Sequence, residues 1–126
     1  MCMNKKILFV DDEAIVAKTI NKLLTKSGYF VTSCSSGAEA IKLLDKERFD
    51  LVISDIRMPD MTGVETIKKI RELCVHKNIP QIPEILISGF ADPSTIKQAE
   101  ALGARDFFYK PFDLQSFLSS VKKALE

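Results

Sequence analysis

The chain has 126 residues, of which 46% are hydrophobic and 28% are charged, and its formal net charge is +1. This length fits one globular domain with a buried core. The near-neutral charge, with no basic run interleaved with aromatic residues, argues against direct nucleic-acid binding by this domain. The apolar run after Lys5 and Lys6 covers only residues 7–10, too short for a secretory signal or a membrane span, so we expect a cytoplasmic protein with no membrane contact.

Five short runs that are typical of strands follow one another along the chain. They cover residues 7–10, 29–34, 51–53, 85–87 and 107–109. Four of them are continuous and largely apolar, and each ends at polar or turn residues, which predicts strands buried on both faces. The second run instead mixes aromatic, β-branched and small polar residues, which predicts a strand at the margin of the sheet.

A helical pattern follows each run, with apolar residues recurring every three or four positions. Capping and turn residues predict that helices begin near Ser36-Gly37, Gly63, Asp92-Pro93 and Asp113. Two glycines, Gly28 and Gly103, predict where helices stop. We expect Lys68, Lys69 and Arg71 on a solvated helix face. Regular alternation of strand and helix predicts a doubly wound α/β sandwich, in which ligands bind beyond the carboxyl ends of the strands.

The cysteines and the single histidine give little sign of metal or redox chemistry. Cys2, Cys34 and Cys74 are far apart and form no C-x-x-C pair, which favours reduced thiols without a catalytic role. His76 has no second histidine with which to share a metal ion, and we expect it on the surface near a helix end.

Polar residues end four of the apolar runs, and the predicted topology brings them to one edge of the sheet. They are Asp11 and Asp12, Asp55, Ser88 and Lys110. Three carboxylates in one small pocket repel one another and need cationic compensation. Lys110 supplies one positive charge, and a divalent metal ion supplies the remainder. Ligands that are all oxygen favour a hard ion, and an open site of carboxylates and water suits Mg²⁺.

This set of groups is suited to phosphoryl transfer. A carboxylate can act as the nucleophile and become an aspartyl phosphate. The metal ion and Lys110 would neutralise the phosphoryl oxygens, and the Ser88 hydroxyl could donate a hydrogen bond to one of them.

Five motifs in order extend this interpretation over essentially the whole chain. They are Asp11-Asp12, Asp55 with Met58-Pro59, Gly63, Ser88-Gly89 and Lys110-Pro111-Phe112. In this arrangement the chain resembles the receiver domain of two-component response regulators. The resemblance implies a flavodoxin-like sandwich of five strand-helix units, with a parallel sheet in the strand order 2-1-3-4-5, and a single receiver domain spanning residues 1–126.

The resemblance also implies the roles of the acidic residues. Asp55 would be the phosphoacceptor. Asp12 and Asp55 would bind Mg²⁺ directly, together with the backbone carbonyl of Arg57, and Asp11 would act through a metal-bound water.

The remaining site residues would act on the phosphoryl group or respond to it. By the same resemblance Lys110 pairs with the phosphoryl group, and Ser88 is the hydroxyl of the conformational switch. Phe107 takes the place of the switch aromatic, where many family members carry tyrosine and hence a hydroxyl that is absent here. Arg57 and Phe90 occupy positions that vary in the family and resemble those that tune the lifetime of the phosphoryl group.

The family resemblance implies partners as well. The phosphoryl donor would be a phosphohistidine on a sensor histidine kinase or a histidine phosphotransfer protein. The chain would be a signalling domain that catalyses only its own Mg²⁺-dependent phosphorylation and a slow autodephosphorylation. On phosphorylation its surface would change over residues 92–118. The sequence leaves three possibilities for the output: binding of an effector protein, a further relay step, or an output domain outside these 126 residues.

Three alternative functions differ from this one in the residues that they require. A phosphatase of the haloacid-dehalogenase type needs a second acid two residues after the nucleophile, where this chain has Arg57. A flavin carrier needs a neutral, hydroxyl-rich loop after the first strand, whereas Asp11, Asp12 and Glu13 repel phosphate unless a metal ion intervenes. A receiver-like interaction module that works without phosphorylation is the third alternative.

Overall fold

A five-stranded parallel sheet lies at the centre of the part of the chain that the computed structural model describes, residues 5–58, 60–89 and 92–126. The strands are β1 (Lys6–Val10), β2 (Phe30–Cys34), β3 (Leu51–Asp55), β4 (Glu84–Ser88) and β5 (Asp106–Tyr109). The helices are α1 (Ala14–Lys26), α2 (Gly37–Lys46), α3 (Gly63–His76), α4 (Pro93–Leu102) and α5 (Leu114–Leu125). The strand order β2-β1-β3-β4-β5 confirms the predicted doubly wound α/β fold and its order 2-1-3-4-5.

Two hydrophobic cores sandwich the sheet. Every residue of β3 and β4 is buried, which agrees with their continuous apolar sequences. Successive side chains of a strand point to opposite faces, so Phe9 packs in one core with Phe117 of α5, whereas Leu8 packs in the other with Ile67 of α3. The more polar β2 lies at one edge of the sheet, as predicted.

Capping residues begin the last two helices as the sequence indicates. Asp92 precedes Pro93 and accepts a hydrogen bond from the backbone of Thr95 at 2.8 Å. Asp113 accepts one from the backbone of Ser116 at 3.0 Å. None of the helices in the described residues is long and apolar enough to cross a membrane.

The described thiols and the histidine have the environments that the sequence predicts. Cys34 and Cys74 are buried and form no disulfide. Burial raises the pKa of Cys34 to about 12, so this thiol stays protonated and unreactive at neutral pH. His76, the last residue of α3, is exposed. Three residues named above lie outside the described residues: Cys2, Pro59 and Phe90.

One helix-face prediction is wrong. Lys68 and Lys69 are exposed, but Arg71 of α3 is half-buried and forms two parallel hydrogen bonds to Glu84, at 2.9 Å from Nε and 2.8 Å from a terminal nitrogen. Glu84 is buried at the start of β4, and a buried carboxylate needs a paired cation. The spacing of residues along the helix predicts Arg71 at the surface, but it could not show that Glu84 of the neighbouring sheet pairs with it.

Candidate functional site

The carboxyl ends of the strands bring the predicted polar residues to one edge of the sheet. The strand register aligns Val10 with Ser54, so Asp11 and Asp55, which follow these residues, come side by side. On the other side, Asp55 is aligned with Ile87, directly before Ser88. This convergence follows from the parallel topology, because all the strands end at the same edge.

Lys110 lies at the centre of this edge and contacts three carboxylates. Its Nζ is 2.9 Å from Asp11 Oδ2, 3.1 Å from Asp55 Oδ2 and 2.8 Å from Glu13 Oε1. Its backbone N–H donates to the Ser88 carbonyl at 2.7 Å, which ties the chain after β5 to the end of β4. The predicted meeting of Lys110 with Asp11 and Asp55 is therefore present in the structure.

Glu13 is the contact that sequence reasoning missed. In the sequence it is simply the third of three consecutive acids after the first strand, yet its carboxylate makes the shortest of the three contacts with Lys110. The two residues are 97 positions apart, so no local pattern pairs them. The only signal available was that three consecutive acids follow β1, at the edge where Lys110 follows β5.

Three carboxylates at this edge could hold a metal ion together. One oxygen from each of Asp11, Asp12 and Asp55 lies within 4.8 Å of the others. Asp11 and Asp55 are buried, and Asp12 is exposed, so the group opens to solvent on one side. A donor set made only of carboxylate oxygens with an open side fits a hard divalent ion such as Mg²⁺.

Backbone N–H groups hold two of these carboxylates in place. The Glu13 N–H donates to Asp11 Oδ1 at 2.9 Å, and the Arg57 N–H donates to Asp55 Oδ1 at 3.3 Å. The Arg57 backbone, which was predicted to supply a metal ligand, therefore lies directly beside the Asp55 carboxylate.

The ionisation of Asp55 and Lys110 reflects their mutual contact. Burial, followed by the charge of Asp11, raises the pKa of Asp55 to about 6, although the hydrogen bond from Lys110 opposes this. Burial lowers the pKa of Lys110, but hydrogen bonds to Glu13, Asp11 and Asp55 outweigh burial, so the net shift is upward. Asp55 is therefore mostly a carboxylate at pH 7, and Lys110 is an ammonium ion.

The raised pKa of Asp55 predicts how its replacement changes stability without metal. The pKa of Asp55 is higher in the folded protein than in the unfolded chain, so the folded state binds more protons between about pH 4 and pH 6. As the pH rises through this range, ionisation of Asp55 therefore destabilises the folded state. Asp55→Asn cannot ionise. We expect it to raise the free energy of unfolding by about 1–3 kcal/mol at pH 7 in EDTA, and by much less below pH 4.

Urea denaturation of both proteins across this pH range measures the effect. A stability difference that is the same at pH 4 and pH 7 would show that ionisation of Asp55 is not its cause.

Comparison with known proteins assigns this arrangement to a family. The response regulator receiver domain family matches residues 7–122. The chain belongs to this family. It is a receiver domain of two-component signalling, as the sequence resemblance predicted, and such domains interact with histidine kinases or phosphotransfer proteins.

Full-length relatives and solved structures agree with the assignment. The receiver domain is 34% identical to sporulation initiation phosphotransferase F of Bacillus subtilis, over 98% of this chain and 95% of that protein. It is 33% identical to chemotaxis protein CheY of Bacillus subtilis, over 98% and 99% of the two chains. It superposes with a TM-score of 0.82 and 29% identity on response regulator TrrA of Thermotoga maritima in complex with Mg²⁺-BeF, covering 96% and 99%.

Gly63 allows the first turn of α3 to pack directly on the end of β3 in this receiver domain. Its N–H donates to the Ile56 carbonyl at 2.7 Å. A Cβ atom at this position would meet the Asp55 carbonyl oxygen and would lie 2.8 Å from the Ile56 Cα. Any larger residue would therefore displace the backbone that carries Asp55, which explains glycine at this position in physical terms.

Asp60 anchors the loop after β3. Its carboxylate accepts hydrogen bonds from the backbone N–H groups of Ala38 at 2.9 Å and Gly37 at 3.3 Å, at the start of α2. The Ala38 bond is the main reason why the pKa of Asp60 is lowered. This contact holds the chain that follows Asp55 against the neighbouring helix.

Ser88 and Phe107, the predicted switch residues, lie on neighbouring strands. Ser88 is fully buried at the end of β4, and the register aligns it with Tyr109 of β5. Phe107 is half-buried in the core beneath α4, and its ring centroid is 4.9 Å from that of Tyr109. A cavity of about 320 Å³ beside Phe107, lined partly by Ile96 of α4, provides space next to this aromatic pair.

Proposed function

We propose that this receiver domain accepts a phosphoryl group on Asp55 in a Mg²⁺-dependent step. The observation that carries the proposal is the position of the buried Asp55 carboxylate, with Lys110 Nζ at 3.1 Å and one oxygen each of Asp11 and Asp12 within 4.8 Å. A nucleophilic carboxylate beside a lysine and further metal-binding carboxylates suits phosphoryl transfer better than a structural role.

The reaction exchanges one bond to phosphorus for another. An Asp55 carboxylate oxygen attacks the phosphorus atom, the new P–O bond forms, and the P–N bond to a donor phosphohistidine breaks. The electron pair of that bond leaves with the imidazole nitrogen, and because the other ring nitrogen of the phosphohistidine carries a proton, a neutral histidine is released. With acetyl phosphate as donor, the P–O bond breaks and acetate leaves with the electron pair.

The acidic group would hold Mg²⁺ for this step. Asp12, Asp55 and the Arg57 backbone carbonyl would bind the ion directly, and Asp11 would bind it through water. Bound Mg²⁺ would offset the negative charge of the carboxylates and of the incoming phosphoryl oxygens. The similar regulator TrrA has been solved in complex with Mg²⁺-BeF, which supports Mg²⁺ as the ion.

Lys110 and Ser88 would stabilise the phosphorylated state. The Lys110 ammonium would donate to one phosphoryl oxygen, and the Ser88 hydroxyl would donate to another. Movement of Ser88 would be transmitted to Phe107 and to the surface formed by residues 92–118. Arg57, two residues after Asp55, offers no carboxylate to activate water, so we expect slow autodephosphorylation.

A protein donor fits the surface around the site. Ile15 is 82% exposed and Leu114 is 45% exposed, and both line a groove that also contains Lys110. Exposed apolar side chains beside a charged site are typical of a protein contact surface. We infer that the donor is a histidine kinase or a phosphotransfer protein. We also propose that residues 1–126 form one receiver domain and that this domain acts in the cytoplasm.

Intact mass spectrometry after incubation with acetyl phosphate and Mg²⁺ tests the proposal. The wild-type chain should gain the mass of one phosphoryl group, and the gain should disappear when EDTA replaces Mg²⁺. Asp55→Asn should gain none, because the amide is not a nucleophile for this reaction.

Asp50→Asn is the matched control. Asp50 precedes β3 at the opposite end of that strand and is exposed, so its replacement should leave the mass gain intact. If wild type gains no phosphoryl group from acetyl phosphate or from a phosphorylated kinase, the chain works as an interaction module without phosphorylation. Equal gain by Asp55→Asn would place the acceptor elsewhere.

A further inference from the structure

The ammonium group of Lys110 has no hydrogen-bond donor to spare in the described structure. A lysine ammonium carries three N–H groups. Nζ of Lys110 has three acceptors at hydrogen-bonding distance, one oxygen each from Asp11, Glu13 and Asp55, at 2.8–3.1 Å. A phosphoryl oxygen that binds Lys110 must therefore replace one of these acceptors.

The three acceptors differ in how easily they can be released. The side chains of Asp11 and Asp55 are only 0% and 6% exposed, whereas that of Glu13 is 57% exposed. A buried carboxylate that loses its cation has no water to replace it, but an exposed carboxylate is readily solvated. Glu13 is therefore the acceptor that costs least to release.

Glu13 also has no other task that would hold it in place. It occupies the N-cap position of α1, yet its side chain makes no capping hydrogen bond. It does not belong to the group of carboxylates that could bind a metal ion together. Among the described residues, the only hydrogen-bond partner of its side chain is Lys110.

We propose that Glu13 is a positioning residue, which occupies before phosphorylation the Lys110 donor that a phosphoryl oxygen takes afterwards. The inference rests on the proposed function, since it concerns the same site. Glu13 holds Lys110 at the mouth of the pocket and lowers the affinity of the pocket for phosphoryl-like anions. When the phosphorylated state forms, a phosphoryl oxygen displaces the Glu13 carboxylate from Lys110 into solvent.

The size of the effect follows from the exposure of the pair. Ion pairs that are partly open to solvent contribute little, so removing the Glu13 contact should strengthen anion binding by about two- to fivefold. Glu13→Gln keeps the size of the side chain and removes its charge. Glu13→Asp keeps the charge but shortens the side chain by one methylene, so the carboxylate no longer reaches Lys110.

Beryllofluoride, added with saturating Mg²⁺ and followed by two-dimensional NMR of the labelled protein, is the equilibrium probe. Glu13→Gln and Glu13→Asp should both bind the anion about two- to fivefold more tightly than wild type. Glu72→Gln, which removes a charge from the exposed face of α3, should bind like wild type. In a separate titration with Mg²⁺ alone, Glu13→Gln should bind no more tightly than wild type, because Glu13 does not compete with the metal ion.

Each departure from this pattern overturns the inference. Unchanged beryllofluoride affinity in Glu13→Gln would show that Glu13 does not compete for Lys110. Tighter binding in Glu13→Gln with wild-type binding in Glu13→Asp would assign the effect to general charge repulsion. Tighter binding of Mg²⁺ alone by Glu13→Gln would place the effect at the metal site. If wild type itself binds no beryllofluoride and gains no phosphoryl group, the proposed function fails instead.

Discussion

Lys110→Ala is expected to slow phosphorylation of Asp55 by about 10²- to 10³-fold, the usual cost of losing one preorganised donor to a developing anion. Lys110 Nζ is 3.1 Å from Asp55 and carries a positive charge that contacts Asp11, Glu13 and Asp55 together. Without it, Mg²⁺ alone would have to offset the negative charge of the carboxylates and of the phosphoryl oxygens. The rate of mass gain from acetyl phosphate at saturating Mg²⁺ measures the loss.

Two further variants separate the specific loss from a general one. Lys69→Ala removes a positive charge from the exposed face of α3 and should phosphorylate at the wild-type rate. Lys110→Arg keeps the charge in a wider, planar group and should fall between wild type and Lys110→Ala. Circular dichroism checks that each variant is folded. Phosphorylation of a folded Lys110→Ala within tenfold of the wild-type rate would show that Lys110 does not stabilise the transferred group.

Arg71→Leu is expected to have the largest effect on stability. Glu84 is only 2% exposed, and both of its carboxylate oxygens accept hydrogen bonds from Arg71, whose side chain is 26% exposed. Removing one partner of a buried pair leaves the other charge uncompensated, which costs about 3–5 kcal/mol. Because Arg71 is partly exposed and water can reach it, we expect a cost at the lower end of this range, about 3 kcal/mol. Urea denaturation measures this cost as a decrease in the free energy of unfolding.

The double variant Arg71→Leu, Glu84→Leu tests the cause. Replacing both members by apolar residues removes the unpaired charge, so most of the lost stability should return. Lys68→Leu, on the exposed side of the same helix, should change the free energy of unfolding by less than about 0.5 kcal/mol. If the double variant is as unstable as Arg71→Leu, loss of packing by the arginine stem, and not the unpaired Glu84 charge, is responsible.

The position of this ion pair separates stability from phosphorylation. Glu84 begins β4, whereas Ser88 ends the same strand at the acidic site. The pair therefore stabilises the opposite end of the sheet. A folded Arg71→Leu protein should accept a phosphoryl group at nearly the wild-type rate.

Local sequence patterns were enough to predict the architecture and the centre of the site. Continuous apolar runs and helical spacing are local patterns, and they report which segments can be buried on both faces and which on one. Their alternation implies parallel strands, and parallel strands end at one edge. For this reason the convergence of Asp11, Asp55 and Lys110 could be predicted before any distance was known.

Which charged side chains pair with each other depends on the packing of the folded chain. Arg71 follows Lys68 and Lys69 on one helix and is chemically similar to them, yet only Arg71 lies over the buried carboxylate of Glu84. Glu13 is the third acid in a row, and only the path of the chain after β5 places Lys110 within 2.8 Å of it. Periodicity encodes which face of an element is buried, but the partner of a charged side chain depends on distances between elements far apart in sequence.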